Sequence, residues 1–273
     1  MRPSFGPSAI SLVYDTGPRF PSGFNTGTAV ALPYLHQQGV RHIDTLVISH
    51  ADRDHAGEFT GLDDKLSIGR ILSVEPRELP GWRAQHPCLA GNDWTRDGVD
   101  FALLYPTTAG RNGNPSSCVL RVSVPGAGSS VLLTGDIDAG VEDKLVAAQP
   151  ERLASTIPVA GHHHHGSATS TTSTGTAFLG AVAPRFVRYA AGYANRFGLP
   201  AATVRERVAA QGAAQLDTAS AGTITFRLGP TGSEGPWLFR REHRHLWSHR
   251  VQPVSNRLVS NRKDAKDWVV LNM

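Results

Sequence analysis

Residues 47–57, VISHADRDHAG, place His50, Asp52, Asp54 and His55 within six positions, directly behind a short apolar run. Imidazole nitrogens and carboxylate oxygens are the donors that divalent transition metals take at roughly 2.0–2.2 Å. One turn can present them on two sides, His50 and Asp52 from one and Asp54 and His55 from the other, and so serve two ions that activate a water. A lone His or Asp would be explained by a solvated charged turn, but four donors at a strand end argue against that.

Two other stretches carry candidates. VLLTGDI delivers Asp136 from an apolar strand after a glycine, a weak signal by itself because strands often end in Gly-Asp turns. GHHHHGS sets His164 and His165 inside residues 161–176, which are Gly, Ser, Thr and His apart from one Ala and read as a loop with little to bury.

These donors need a frame. ISLVY (10–14) reads as a strand ended by DTG, NTGTAVALPYLHQQG as a capped helix stopped by Gly39, and IDTLVIS as a second strand. The last is continuously apolar, as in a strand covered on both faces, and the donor cluster follows its C-terminal end, where α/β architectures place chemistry. SIGRILSVEP, VDFALLYP, SCVLRVSVP and SSVLLTGD are four more strand candidates. GTAFLGAVAP and PAATVRERVAAQG read as helices, RFVRYAAG as a strand and GTITFRL as the last strand. Such alternation predicts an α/β protein.

At 273 residues with 40% hydrophobic and 18% charged content, the chain can bury a core and holds no run apolar enough to span a bilayer. No secretory signal is visible at the N-terminus, so the chain as given reads as soluble. A net charge of +4 is compatible with a polyanionic partner without requiring one. Cys88 and Cys118 are too few for a disulfide framework and read as buried thiols. We divide the chain into a domain over 1–235 and a basic tail over 236–273, rich in Arg and His with interspersed Trp, read as a surface helix and a loosely held end.

The order DTG (15–17), SHADRDHAG (49–57), LLTGD (132–136) and HHGS (164–167) resembles the metallo-beta-lactamase fold superfamily. Asp52, HHGSATS and AGYANRFG (191–198) bring the resemblance closer to the C-terminal soluble domain of the ComEC/Rec2 DNA-uptake family of bacteria, over about residues 10–250. It implies a four-layer αββα sandwich of two mixed sheets with a metal site along one edge. A DVGQG strand that precedes DTG in that family has no counterpart here, so one sheet is expected to lack an edge strand. Leu199, in NRFGLP, stands where the family pattern has a histidine.

The resemblance further implies a hydrolase with two divalent ions, manganese or zinc, that degrades DNA during natural transformation. It assigns His50, Asp52 and one of His164 and His165 to one ion, Asp54 and His55 to the other, Asp136 as the bridge, and Asp15 as the residue orienting a ligand histidine. Asp54 and Asp136 are the expected catalytic carboxylates. Ser167, Thr169 and Ser170 are candidates to hydrogen-bond a phosphate, and Asn195 and Arg196 to clamp the backbone of a single strand without reading its sequence. The family also implies a membrane channel as partner and attachment to the inner membrane in a full-length relative. Two rival readings remain: a hydrolase of a small phosphodiester or acyl compound, and a catalytically silent DNA-binding or structural domain.

Overall fold

The computed structural model describes residues 10–57, 59–75, 86–109, 113–126, 128–160, 174–192, 195, 198–229 and 231–243, and the backbone of 269–272. The chain divides into two compact units, residues 1–97 with 102–119, and residues 98–101 with 120–273.

In the first unit β1 (Leu12–Tyr14), α1 (Leu32–Gln37), β2 (His42–Ile48), α2 (Phe59–Asp63), β3 (Ser67–Ser73) and β4 (His86–Pro87) follow in chain order. The strands form a parallel sheet in the order β1-β2-β3-β4, with Leu46 opposite both Val13 and Ile71. The continuous apolar run of β2 is explained by its burial: Ile43, Leu46 and Ile48 pack with Phe59, Leu62, Leu66 and Ile71, and Val13, Leu32 and Leu35 close against them. The expected helix over 25–39 is realised in two parts, a π-helical turn at Gly27–Ala31 leading into α1. β5 (Trp94–Arg96) comes next, β6 (Val99–Tyr105) begins among residues assigned to the second unit and ends in the first, and a 3-10 turn at Asn114–Ser116 precedes Cys118.

Cys88 and Cys118 are buried as expected, but they form a disulfide rather than two thiols. They lie 30 residues apart in sequence, yet folding brings their Cα atoms to 6.0 Å, within the range a disulfide spans. Cys88 is anchored through its amide to the Ser73 carbonyl, at the end of β3.

In the second unit β7 (Val119–Ser123) pairs antiparallel with β8 (Ser130–Leu133), and β9 (Ile157–Ala160), β10 (Phe186–Tyr189) and β11 (Ala214–Asp217) extend the sheet in parallel. The sheet is therefore mixed, as expected. The helices are α3 (Ala139–Ala148), α4 (Pro150–Leu153), α5 (Thr176–Val182), α6 (Ala202–Ala210) and the single turn α7 (Thr218–Ala221). Leu179 of α5 and Val204 and Val208 of α6 bury against Val187 and Tyr189 of β10. β12 (Ile224–Gly229) is not the last strand: β13 (Gly232–Leu238) and β14 (Val269–Asn272) pair antiparallel on its two sides. β13 thus runs across position 236, where the tail was drawn, and the turn α8 (Phe239–Glu242) follows it.

Glu142 ties α3 to the start of α5. Its carboxylate accepts from the Thr174 amide at 2.5 Å and the Gly175 amide at 2.8 Å. Burial pushes this carboxyl up to about 7 from its ordinary 4.5, while the two amides and the Arg207 charge pull it down and Asp143 adds to the rise. A group that binds its proton more tightly when folded contributes its full stability below the unfolded value and loses it as pH rises through the folded one. Raising the pH from 4.5 through 7 is therefore expected to cost about 3 kcal/mol of folding stability. Urea unfolding across that window checks this, and the dependence is expected to vanish in Glu142→Gln.

Candidate metal centre

The donor turn begins where β2 ends, and β1 beside it supplies the residue that organises it. Tyr14 of β1 pairs with Val47 of β2, and the next residue, Asp15, donates its amide to the Val47 carbonyl at 2.8 Å. Asp15 has φ of 61°, a left-handed conformation that Asp tolerates better than bulkier residues yet which still costs on the order of 1 kcal/mol. That bend returns its carboxylate to the turn: Oδ1 accepts from the Ser49 amide at 2.7 Å, and Oδ2 accepts from Ser49 Oγ at 2.9 Å. The same Oδ2 lies 2.7 Å from Nδ1 of His55.

This last contact fixes the chemistry of His55. A carboxylate oxygen accepts, so Nδ1 donates to Asp15, and the ring held from that side turns its Nε2 edge toward Asp54. Nε2 lies 3.4 Å from Asp54 Oδ2. An imidazole nitrogen beside a carboxylate oxygen is a pair of donor types that a divalent cation takes together. His50 repeats the pattern, with Nδ1 3.0 Å from Ser49 Oγ and 3.3 Å from Ser117 Oγ, and Nε2 3.6 Å from Asp52 Oδ2. The two rings are tilted with centroids 4.2 Å apart. Both histidines are buried, whereas the Asp52 side chain is 53% exposed. This donor set fits a divalent cation: each imidazole is oriented from its δ side and has a carboxylate beside its ε side.

Backbone contacts hold the turn in shape. The His55 and Ala56 amides both close onto the Asp52 carbonyl at 2.9 Å, and Thr16 donates through its amide and hydroxyl to the His55 carbonyl. Gly57 is required by close approach: a Cβ there would stand 2.0 Å from the Arg53 carbonyl oxygen and 2.8 Å from the Arg19 amide. Glu75, buried just beyond β3, accepts from the Ala51 amide at 2.5 Å and the Gly113 amide at 2.8 Å. The Cys118 amide donates to the Ser49 carbonyl at 2.9 Å, and the Tyr14 hydroxyl donates to the Cys118 carbonyl.

The first unit therefore brings together Asp15, His50, Asp52, Asp54 and His55, the residues expected to act as one group. Asp136 belongs to the second unit, where it is buried just past β8, behind Thr134 and Gly135. Asn195 is engaged with its own turn, since its carboxamide accepts from the Leu199 amide at 2.8 Å and donates to the Leu199 carbonyl at 2.9 Å. His164, His165, Ser167, Thr169, Ser170 and Arg196 lie outside the described residues. Sequence reasoning missed Ser49, Glu75 and Ser117. The signal for Ser49 is its place directly before His50; Glu75 and Ser117 reach the turn from 24 and 67 residues away and leave no local trace.

If Asp15 orients His55 for a cation, Asp15→Asn is expected to weaken zinc or manganese binding about 10- to 100-fold, the usual effect of losing such an orienting partner. Competition with a calibrated chelator measures this; unchanged affinity would detach Asp15 from the centre.

A family model for the metallo-beta-lactamase superfamily matches residues 10–185. A competence protein of Neisseria gonorrhoeae, ComA, is 37% identical over 233 residues, which cover 83% of this chain and 32% of the relative. Recombination protein 2 of Haemophilus influenzae is 31% identical over 214 residues, covering 78% of this chain and 26% of the relative. The chain thus spans about a third or less of the length of these relatives. Among solved structures, a metal-dependent hydrolase of the beta-lactamase superfamily aligns with a TM-score of 0.47 and 12% identity, over 76% of this chain and 85% of the other. No helix among the described residues is long and apolar enough to cross a membrane. With the matched segment running through both units and containing the DTG strand end, the histidine–aspartate turn and Asp136, the chain belongs to the metallo-beta-lactamase superfamily and, within it, is similar to the ComEC/Rec2 competence proteins.

Proposed function

We propose that the chain is a divalent-metal-dependent phosphodiesterase that degrades DNA, serving uptake of a single strand in a competence protein. The observation that carries this reading is the pairing of each buried imidazole with a carboxylate at its ε side and an orienting group at its δ side. The names of the relatives, competence and recombination proteins, supply the substrate class.

We infer that the ligands are His50, Asp52, Asp54 and His55, with Asp136 and one histidine of the 164/165 pair completing the set. Bound divalent cations supply Lewis acidity and a water acidic enough to attack phosphorus at neutral pH. The residues do the rest. Asp15 holds the hydrogen of His55 on Nδ1, Ser49 joins the two imidazoles to the Asp15 carboxylate, and Glu75 fixes the backbone between His50 and Asp52. Such preorganisation keeps both rings aimed before substrate arrives, so little reorganisation remains for the reacting complex.

The test is to incubate the purified chain, loaded with manganese or zinc, with DNA labelled at either end. Shortening of the label that chelator abolishes and metal restores supports the proposal. DNA bound but left intact under every metal would replace it with a silent binding domain, and cleavage of a chromogenic phosphodiester without DNA cleavage would replace the substrate.

A further inference from the structure

We propose that the hairpin of residues 18–26 is a stacking platform for unpaired nucleobases, built onto the base of the metal turn. This rests on the nucleic-acid reading above and names the part of the chain that would recognise the strand.

The hairpin leaves β1 directly after Asp15 and Thr16, both of which bond His55. Gly57 packs against both the Arg19 amide and the Arg53 carbonyl, so the base of the hairpin and the donor turn share one contact. It is held shut by a bridge between Arg19 and Asn25, by Phe20 amide to Phe24 carbonyl at 2.8 Å, and by Thr26 amide to Pro18 carbonyl at 3.1 Å. Its conformation is thus set by the same backbone that sets the histidines.

On this frame Phe20 is 45% exposed and Phe24 51% exposed, among the few large apolar side chains left in solvent. A hairpin that merely connected β1 to α1 would not need two aromatic rings facing water, and folding normally buries them. Their centroids are 5.8 Å apart and the planes are tilted by 42°. Intercalating a base between them would take about 6.8 Å, twice the roughly 3.4 Å rise of stacked bases. The rings therefore offer their outer faces, suited to successive bases of a single strand rather than to one base held in a slot. Base pairing and stacking hide those faces in a duplex, so the platform selects unpaired strands.

Charge favours the same occupant. Arg19 of the hairpin and Arg53 of the donor turn are both exposed, and residues 17–31 contain no Asp or Glu. Aromatic faces for bases with guanidinium groups for phosphates are the combination by which proteins hold single strands without reading sequence. A lipid surface is the competing occupant of exposed phenylalanines, but it would not be expected to depend on bases.

The experiment compares a short fluorescent oligothymidylate with an abasic oligonucleotide of equal length, using the full chain in chelator so that no cleavage intervenes. Wild-type protein is expected to bind the oligothymidylate at least about 10-fold more tightly than the abasic strand. The Phe20→Ala, Phe24→Ala variant is expected to lose that increment and bind both alike, while Phe20→Trp, Phe24→Trp keeps it. Equal affinity of wild-type protein for the two strands overturns the proposal. So does a variant that loses affinity for phosphatidylglycerol vesicles while keeping its preference for bases. Base-dependent binding without cleavage once metal is supplied would sink the nuclease reading alone, and cleavage without base dependence would sink the platform alone.

Discussion

Replacing His55 by alanine is expected to lower metal-dependent DNA cleavage by at least about 10³-fold, more than the 10- to 100-fold typical of a supporting residue. Three features of the turn converge on this ring. Its Nδ1 is tied to the Asp15 carboxylate at 2.7 Å, its Nε2 faces Asp54 at 3.4 Å, and its face lies against His50 with centroids 4.2 Å apart. Removal takes away the ring nitrogen offered to a cation, while the Asp15 carboxylate keeps its two bonds from Ser49. Asp15 and Ser49 keep the backbone bonds between β1 and the turn, so circular dichroism should show the variant folded. A folded variant that retains cleavage would remove His55 from the centre.

The disulfide carries the second large effect. Closing a loop across the 30-residue separation of Cys88 and Cys118 is expected to stabilise the fold by about 4 kcal/mol, through the entropy it removes from the unfolded chain. That is a large fraction of the stability of an ordinary domain. Urea unfolding of Cys88→Ser, Cys118→Ser should show this loss, and reductant should bring the parent protein to the level of the variant. Equal midpoints in all conditions would mean that the bond does not form in solution. The loss should also reach the metal turn, because Cys118 donates to the Ser49 carbonyl and its neighbour Ser117 reaches His50.

What was legible in the sequence is what one segment determines alone. The unbroken apolar character of IDTLVIS predicts a strand covered on both faces, and β2 is one, with the donors at its end. Gly39 and Gly212 end helices as the C-terminal rule expects. One local signal was overlooked: Asp138 caps α3 by accepting from the Val141 amide at 2.9 Å. Strand β9 was legible only as a strand-like segment before the histidine run, because Pro158 lacks an amide and normally argues against a strand with neighbours on both sides. β13 was obscured by its Gly, Glu and Pro content, which reads as a turn.

The rest was invisible because it is non-local. Nothing near position 75 announces that its carboxylate will cradle the Ala51 amide, and nothing near 88 announces a partner at 118. Those pairings exist only once β1 to β4 lie in parallel register. The same holds for Asp15: its place after a strand was legible, the resemblance implied that it orients a ligand histidine, and only the structure shows that the histidine is His55, 40 residues on.

The central claim, that the turn from His50 to His55 is a divalent metal centre, is tested most directly by elemental analysis of protein purified without a histidine tag or metal column, beside an Asp54→Ala, His55→Ala variant. The account predicts about two zinc or manganese ions per chain in the parent protein, as a two-metal phosphodiesterase requires, and their loss in the variant. A parent protein without stoichiometric metal, or a variant that keeps as much as the parent, would contradict it.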